Sequence, residues 1–207
     1  MTQQTKTAVQ ILLVSVLALF SFPSLAQEKT IVFIGDSLTA GYGVKKDEGF
    51  PERTEGILKK RGHKIKVING GISGSVSAEA DRRVKWFLKA KPNIIVLGLG
   101  GNDGLKGTPP LVIEKNLEKA ILLAKENKID VVLAGIKVYS NLGSEYGRDF
   151  EAIFPRLAKR YQLPFIPFLL EGVALDKKLN QSDMEHPNAA GHEVIAKKMA
   201  DFLEKRL

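Results

Sequence analysis

The sequence predicts an α/β protein, a three-layer α/β/α sandwich with a five-stranded parallel sheet of the flavodoxin-like kind. Short runs of Val, Ile and Leu occur without polar alternation, which is typical of strands buried on both faces. Longer segments of helical period separate these runs, and such alternation produces a parallel sheet covered by helices on each side. The length of 207 residues, 44% of them hydrophobic, suits one globular domain.

Each element is predicted from its own pattern. The strands are predicted from short apolar runs of β type at 30–34, 64–68, 94–99, 131–136 and 165–168, the last weaker because Pro167 interrupts it. The helices are predicted from apolar spacing closed by Gly, Pro or polar residues, at 51–61, 76–91, 112–127, 150–161 and 189–205. If the strand order is 2-1-3-4-5, a ligand crevice opens beyond the carboxyl ends of the first and third strands.

Residues 1–26 have the pattern of a secretory signal. Lys6 gives a basic start, 8–22 is largely apolar, and Ser24-Leu25-Ala26 supplies small residues before a cleavage point. The prediction is therefore a signal peptide over 1–26 and an exported domain over 27–207, periplasmic or secreted. An uncleaved anchor is the alternative, although the apolar run is shorter than the roughly 20 residues that a membrane-spanning helix needs.

The composition limits metal and cysteine chemistry. The chain has no Cys, which excludes thiolate nucleophiles and Cys-ligated zinc. Its three histidines are His63, His186 and His192, and a zinc-protease motif starting at His192-Glu193 fails because Ala196 stands where the second His is needed. His63 is assigned to a loop and His192 to a helix surface.

The charge balance does not indicate a nucleic-acid partner. The formal net charge is +8, from 31 basic and 23 acidic residues. The lysines are spread along predicted helices rather than gathered with Arg and aromatic residues in one strip. This distribution favours a solvated surface.

Polar residues gather where the crevice is predicted. Ser37 follows the first strand, Asn102 follows the third, and Asp183 and His186 precede the last helix. Taken singly, they are equally a helix N-cap, a turn asparagine and a surface pair. Together they supply a hydroxyl nucleophile, an oxyanion donor and a base with its orienting acid, which is the set that acyl transfer requires.

Three sequence blocks resemble the GDSL, or SGNH, hydrolase family, especially its exported bacterial arylesterases, acyl-CoA thioesterases and lysophospholipases. They are Gly35-Asp36-Ser37-Leu38-Thr39-Ala40-Gly41-Tyr42, Gly100-Gly101-Asn102-Asp103-Gly104-Leu105 and Asp183-x-x-His186-Pro187-Asn188. The resemblance implies that Ser37 is the nucleophile, His186 the general base and Asp183 its orienter. It also implies oxyanion donors from the N–H groups of Ser37 and Gly74 and the amide of Asn102, with no metal or cofactor.

The chain departs from the family pattern at three positions. Ser75 stands where an acid often follows the second-block glycine, and Gly71 is a second candidate for that glycine. Met184 and Glu185 stand between the acid and the base, where the family commonly has Gly and an aliphatic residue.

The activity implied is hydrolysis of small acyl esters, thioesters or lysophospholipids by a monomer, with room for transient contact with a membrane surface. An O-acetyl esterase of envelope or extracellular polysaccharide is the alternative within the enzymes, and a non-catalytic binding module is the alternative outside them. An acyl groove is expected from apolar residues near the crevice, with a flap at 104–107; these residues are Leu105, Leu111, Val138, Tyr139 and Leu142.

Overall fold

The computed structural model describes residues 28–138 and 143–207. Its five parallel strands form one sheet in the order β2-β1-β3-β4-β5, which confirms the predicted fold and strand order. The strands are β1 (Lys29–Gly35), β2 (Ile65–Gly71), β3 (Ile94–Gly98), β4 (Asp130–Ala134) and β5 (Phe165–Ile166).

Helices cover both faces of the sheet. They are α1 (Ser37–Ala40), α2 (Phe50–Lys60), α3 (Ala80–Phe87), α4 (Gly101–Leu105), α5 (Pro110–Glu126), α6 (Ser144–Tyr161) and α7 (Ala189–Glu204). One apolar core lies between the sheet and α3, α5 and α6, and a second lies between the sheet and α2 and α7. No helix in the described part of the chain is long and apolar enough to cross a membrane.

The helix predicted over 76–91 is divided. A 3-10 turn at Ser77–Glu79 precedes α3, and another at Leu88–Ala90 follows it. At the first turn the backbone N–H of Ser77 donates to the Asp103 carboxylate, 2.7 Å away, so a distant side chain fixes the start of this segment. Helix α6 also begins earlier than predicted, at Ser144.

His192 is buried, so the prediction that it lies on a helix surface is wrong. Its side chain faces α2, where Nδ1 accepts the backbone N–H of Phe50 at 3.2 Å and the two rings stack. Burial lowers the pKa of His192 to about 4, and the nearby Arg53 cation acts in the same direction. His63 does lie in a loop, with Nε2 3.0 Å from the carboxylate of Glu204.

The two ends of the domain meet at the edge of the sheet where the strands begin. The ammonium group of Lys29, at the start of β1, donates to the carbonyl oxygens of Arg206 and Leu207 at 3.1 and 2.7 Å. The carboxyl ends of the strands, where the polar motifs lie, form the opposite edge.

Candidate active site

Ser37 is the first residue of α1, immediately beyond β1. The helix is capped by Asp36, whose Oδ1 accepts the N–H of Leu38 at 3.1 Å, so the interpretation of Ser37 as the N-cap is wrong. Because Asp36 caps the helix, the Ser37 hydroxyl is available to a neighbour. Its Oγ lies 2.9 Å from Nε2 of His186.

A short loop before α7 holds His186 and Asp183 together. The Nδ1 atom of His186 is 2.8 Å from Oδ2 of Asp183. The other carboxylate oxygen accepts the backbone N–H groups of Glu185 and His186, each at 3.0 Å. The His186 N–H is the main cause that lowers the pKa of Asp183 to about 2, with the imidazole and the Glu185 N–H adding to it. Asp183 is therefore ionised when it orients the ring.

Gln181 connects this loop to the turn that follows α1. Its side-chain amide donates to the carbonyl oxygens of Tyr42 and Pro187 at 2.7 and 3.0 Å, and its backbone N–H donates to His186 O at 2.8 Å. The tight turn puts Met184 in the left-handed region, with φ of 62°. That backbone conformation explains why glycine suits this position.

Asn102 lies in the first turn of α4, beyond β3. One hydrogen of its amide is donated to Ser75 O at 3.0 Å, which leaves the second free for a ligand. Gly74 is exposed with φ of 80°, and its N–H makes no backbone hydrogen bond among the described residues. Gly71, by contrast, belongs to β2 and donates its N–H to the side chain of Asn69. Of the two glycines, Gly74 is therefore the one whose backbone N–H is available to a ligand.

Two buried charged residues that the motif analysis did not assign a role lie behind this loop. Arg83 donates to Ser75 Oγ at 2.9 Å and to Gly70 O. The Asp103 carboxylate accepts the N–H and the hydroxyl of Ser77 at 2.7 and 2.6 Å. Asp103 lies inside the second motif block, but Arg83 lies outside all three blocks, and the sequence does not reveal which segments either residue joins.

Asp36 is a third buried charged group. It is 3% exposed, and burial raises its pKa to about 6, although the Leu38 N–H and the His186 ring oppose the shift. Asp36 lies inside the first motif block, so the sequence indicates that it matters. The block alone does not show whether Asp36 caps the helix or takes part in the reaction.

A cavity of about 310 Å³ opens beside Ser37. Leu105 and Val138 line it as expected, but Leu111 does not and lies exposed on α5. Tyr139 and Leu142 lie outside the described residues. The cavity is also lined by apolar residues that the sequence analysis did not assign to a groove, namely Leu38, Ile136, Phe168, Leu169, Leu170, Ala174, Leu175 and Met184.

The expected flap at 104–107 is anchored at its first residue. Gly104 belongs to α4, and a Cβ there would lie 2.7 Å from Val138 and 2.9 Å from Phe150. The described residues contain no group of three or more His, Cys, Asp or Glu side chains that could hold a metal ion.

This geometry defines a class of protein, the serine hydrolases: a hydroxyl at a strand end, an imidazole within hydrogen-bond distance of it, and a carboxylate behind the imidazole. A family model described as the GDSL-like Lipase/Acylhydrolase family matches residues 33–194. The chain belongs to that family and is an ester hydrolase.

Individual relatives agree with this assignment. An arylesterase of Vibrio mimicus is 37% identical over 188 residues, covering 90% of this chain and 94% of that protein. Thioesterase 1/protease 1/lysophospholipase L1 of Escherichia coli K12 is 34% identical over 189 residues, covering 91% and 89%. The crystal structure of the psychrotrophic esterase EstA from Pseudoalteromonas sp., inhibited by monoethylphosphonate, matches with a TM-score of 0.82 and 28% identity over 86% of this chain and 98% of that one.

Proposed function

We propose that this enzyme cleaves carboxylic ester and thioester bonds of acyl substrates through a covalent acyl-Ser37 intermediate. The observation that carries the proposal is the continuous line of hydrogen bonds from Ser37 through His186 to Asp183, at 2.9 and 2.8 Å. Each atom of this line already lies at the distance that proton transfer requires.

The reaction follows from these contacts. Ser37 Oγ attacks the acyl carbon while its proton passes to His186 Nε2, and Asp183 stabilises the imidazolium through Nδ1. The tetrahedral intermediate then collapses, the C–O or C–S bond breaks, and the leaving alcohol or thiol takes the proton from His186. A water molecule, deprotonated by the same ring, attacks the acyl-enzyme and releases the acid and free Ser37.

The negative charge that forms on the carbonyl oxygen needs donors that are already in place. The N–H of Ser37 lies in the first turn of α1 and has no intrahelical partner. The N–H of Gly74 and the second amide hydrogen of Asn102 complete the proposed set.

The cavity supports acyl chains longer than acetyl. Its wall beside Ser37 is mainly apolar and includes Leu38, Leu105, Phe168 and Leu175. An apolar wall favours burial of methylene groups, and an acetyl group has none to bury. The arylesterase and lysophospholipase relatives, by their names, support the same substrate class. We therefore propose small acyl esters, thioesters or lysophospholipids as substrates.

The proposal extends to location and assembly. The apolar run of residues 8–22 and the small residues that end at Ala26 support cleavage after Ala26 and export of 27–207 to the periplasm or beyond. We propose a monomer that touches membrane surfaces only in passing. Intact mass of the purified protein tests the cleavage point, and sedimentation tests the monomer.

The first experiment is hydrolysis of p-nitrophenyl esters from acetyl to palmitoyl by wild type and Ser37→Ala. We expect rates that peak at medium or long chains and vanish in the variant. A peak at acetyl alone would instead indicate polysaccharide deacetylation. Hydrolysis that survives in Ser37→Ala would contradict the proposed nucleophile.

Asn102→Ala tests the oxyanion assignment. Loss of one donor should lower kcat about 10²- to 10³-fold, with little change in KM, because the bond strengthens only as charge develops. Asn127→Ala is the matched control, since that amide caps the end of α5 by donating to Leu123 O. Turnover near wild type in Asn102→Ala would contradict this role.

A further inference from the structure

Glu185 brings a second carboxylate to the loop that holds His186. The first, Asp183, is fully engaged, since one of its oxygens contacts the imidazole and the other accepts two backbone N–H groups. One of these N–H groups belongs to Glu185, at 3.0 Å, and this bond fixes its backbone in the turn. The Glu185 carboxylate forms no ion pair within 4.0 Å among residues 28–138 and 143–207. Within the described part of the chain, the loop therefore presents one carboxylate without a bonded cation.

Glu185 lines the cavity that contains the nucleophile. It shares that wall with Ser37 and His186, and the remaining lining is mainly apolar. Lys137 is the one lysine or arginine among the described lining residues. Its ammonium group lies 5.4 Å from the centre of the Phe168 ring and forms no ion pair with Glu185. The charge of Glu185 is therefore available to a substrate that occupies the cavity.

The proposed chemistry determines which part of a substrate comes close to Glu185. His186 Nε2 takes the proton of Ser37 and delivers it to the leaving alcohol or thiol, so the leaving group must come within hydrogen-bond distance of that atom. Glu185 directly precedes His186 in the chain, and consecutive Cα atoms are about 3.8 Å apart. The leaving group, rather than the acyl chain, is therefore the part of the substrate that must approach this loop.

We propose that Glu185 is a specificity-determining residue, which favours esters and thioesters whose alcohol or thiol part carries an ammonium or quaternary ammonium group. Because the family commonly has an aliphatic residue at this position, the preference is a property of this chain rather than of the fold. Glu185 is exposed, so water and salt screen its attraction for a cation, and the expected contribution is about two- to fivefold in kcat/KM. The inference rests on the proposed serine-esterase mechanism and adds to it the charge of the preferred leaving group.

Two substrates of the same shape that differ in charge test the proposal. Butyrylcholine has a quaternary nitrogen where its neutral isostere, neohexyl butyrate, has a carbon atom. The measured quantity is the ratio of kcat/KM for the charged ester to kcat/KM for the neutral ester. We expect this ratio to fall about two- to fivefold in Glu185→Gln, and further in Glu185→Lys, which places a cation at the same position. Both falls should become smaller as the salt concentration increases from about 0.05 to 0.5 M.

Glu126→Gln is the matched control, since it removes the same charge from an exposed acid at the end of α5 that does not line the cavity. It should keep the wild-type ratio. Because both esters are measured on the same variant, the ratio cancels any general loss of activity or of folded protein. An unchanged ratio in Glu185→Gln overturns the inference, as does an equal fall in Glu126→Gln. Hydrolysis of p-nitrophenyl butyrate that survives in Ser37→Ala refutes the mechanism itself, whereas its loss beside an unchanged ratio in Glu185→Gln refutes only the role of Glu185.

Discussion

Folding shifts the pKa values of two buried residues, His192 and Asp36, in opposite directions. As a result, a proton that is bound to His192 in the unfolded chain is bound to Asp36 in the folded protein. Burial lowers the pKa of His192 from 6.5 to about 4 and raises that of Asp36 from 3.8 to about 6. Between pH 4 and 6 the unfolded chain has a charged His192 and an ionised Asp36, whereas the folded protein has both neutral. The number of bound protons is the same, so this pair gives the wild type no net dependence of stability on pH in that range.

Each group alone has a large effect. A histidine whose pKa is lowered by folding destabilises the protein as pH falls from 6.5 to about 4, since only the unfolded state takes up the proton. An aspartate whose pKa is raised destabilises it as pH rises from 3.8 to about 6, since only the unfolded state releases the proton. At about 1.4 kcal/mol per pH unit, each amounts to about 3 kcal/mol of unfolding free energy.

Single substitutions should reveal the two opposite dependences of the free energy of unfolding on pH. Asp36→Asn keeps an acceptor for the Leu38 N–H and leaves His192 alone, so its free energy of unfolding should rise by about 3 kcal/mol from pH 4 to 6.5, relative to wild type. His192→Asn keeps an acceptor for the Phe50 N–H and should lose a similar amount from pH 4 to 6. Urea unfolding followed by circular dichroism across this range measures both.

The double variant Asp36→Asn/His192→Asn is the control, because it removes both groups and should regain the pH dependence of the wild type. Comparison with wild type at each pH cancels the other titrating residues. Stability curves for the two single variants that run parallel to the wild-type curve from pH 4 to 6.5 would refute the reasoning.

Three further substitutions test separate features. Met184→Gly relieves a φ of 62° and should raise the unfolding free energy by about 1 kcal/mol, read from thermal unfolding; a decrease would show that the side chain matters more than the backbone. Gly104→Ala pushes a methyl group against Val138 and Phe150 and should cost about 1–3 kcal/mol while shortening the preferred ester chain in the p-nitrophenyl series; an unchanged Tm and chain profile would contradict tight packing there. Asp183→Asn frees the ring of its anionic partner and should lower kcat about 10⁴-fold; steady-state rates near wild type would rule out its orienting role.

The strands and the Asp183–His186 pair could be predicted from sequence because both are local patterns, whereas the roles of Ser37 and His186, 149 residues apart, were implied by the family resemblance. The strands contain short apolar runs, and the Asp183–His186 pair is contained within four residues. Which side of a helix is buried is harder to predict, because it depends on packing against other segments. For His192 the burial was nevertheless indicated by the sequence, since Ile195, Ala196 and Met199 follow it at helical spacing on the buried face.

What the sequence did not reveal depends on contacts between distant segments. The division of 76–91 comes from the hydrogen bond between Ser77 and Asp103, which are 26 residues apart. The cavity wall near Leu169 and Leu175 consists of consecutive turns without a hydrophobic period. The structural role of Arg83 likewise depends on two distant acceptors, the hydroxyl of Ser75 and the carbonyl of Gly70.

The contact of Lys29 with Arg206 and Leu207 places these residues together at the end of the sheet opposite Ser37, and this has a consequence for attaching the enzyme to other molecules. Strand β1 has seven residues, so a graft at Lys29 lies about 20 Å from Ser37, at the opposite end of the strands. Fusion partners or solid supports attached there leave the cavity unobstructed, and a short peptide joining the ends would allow new termini elsewhere.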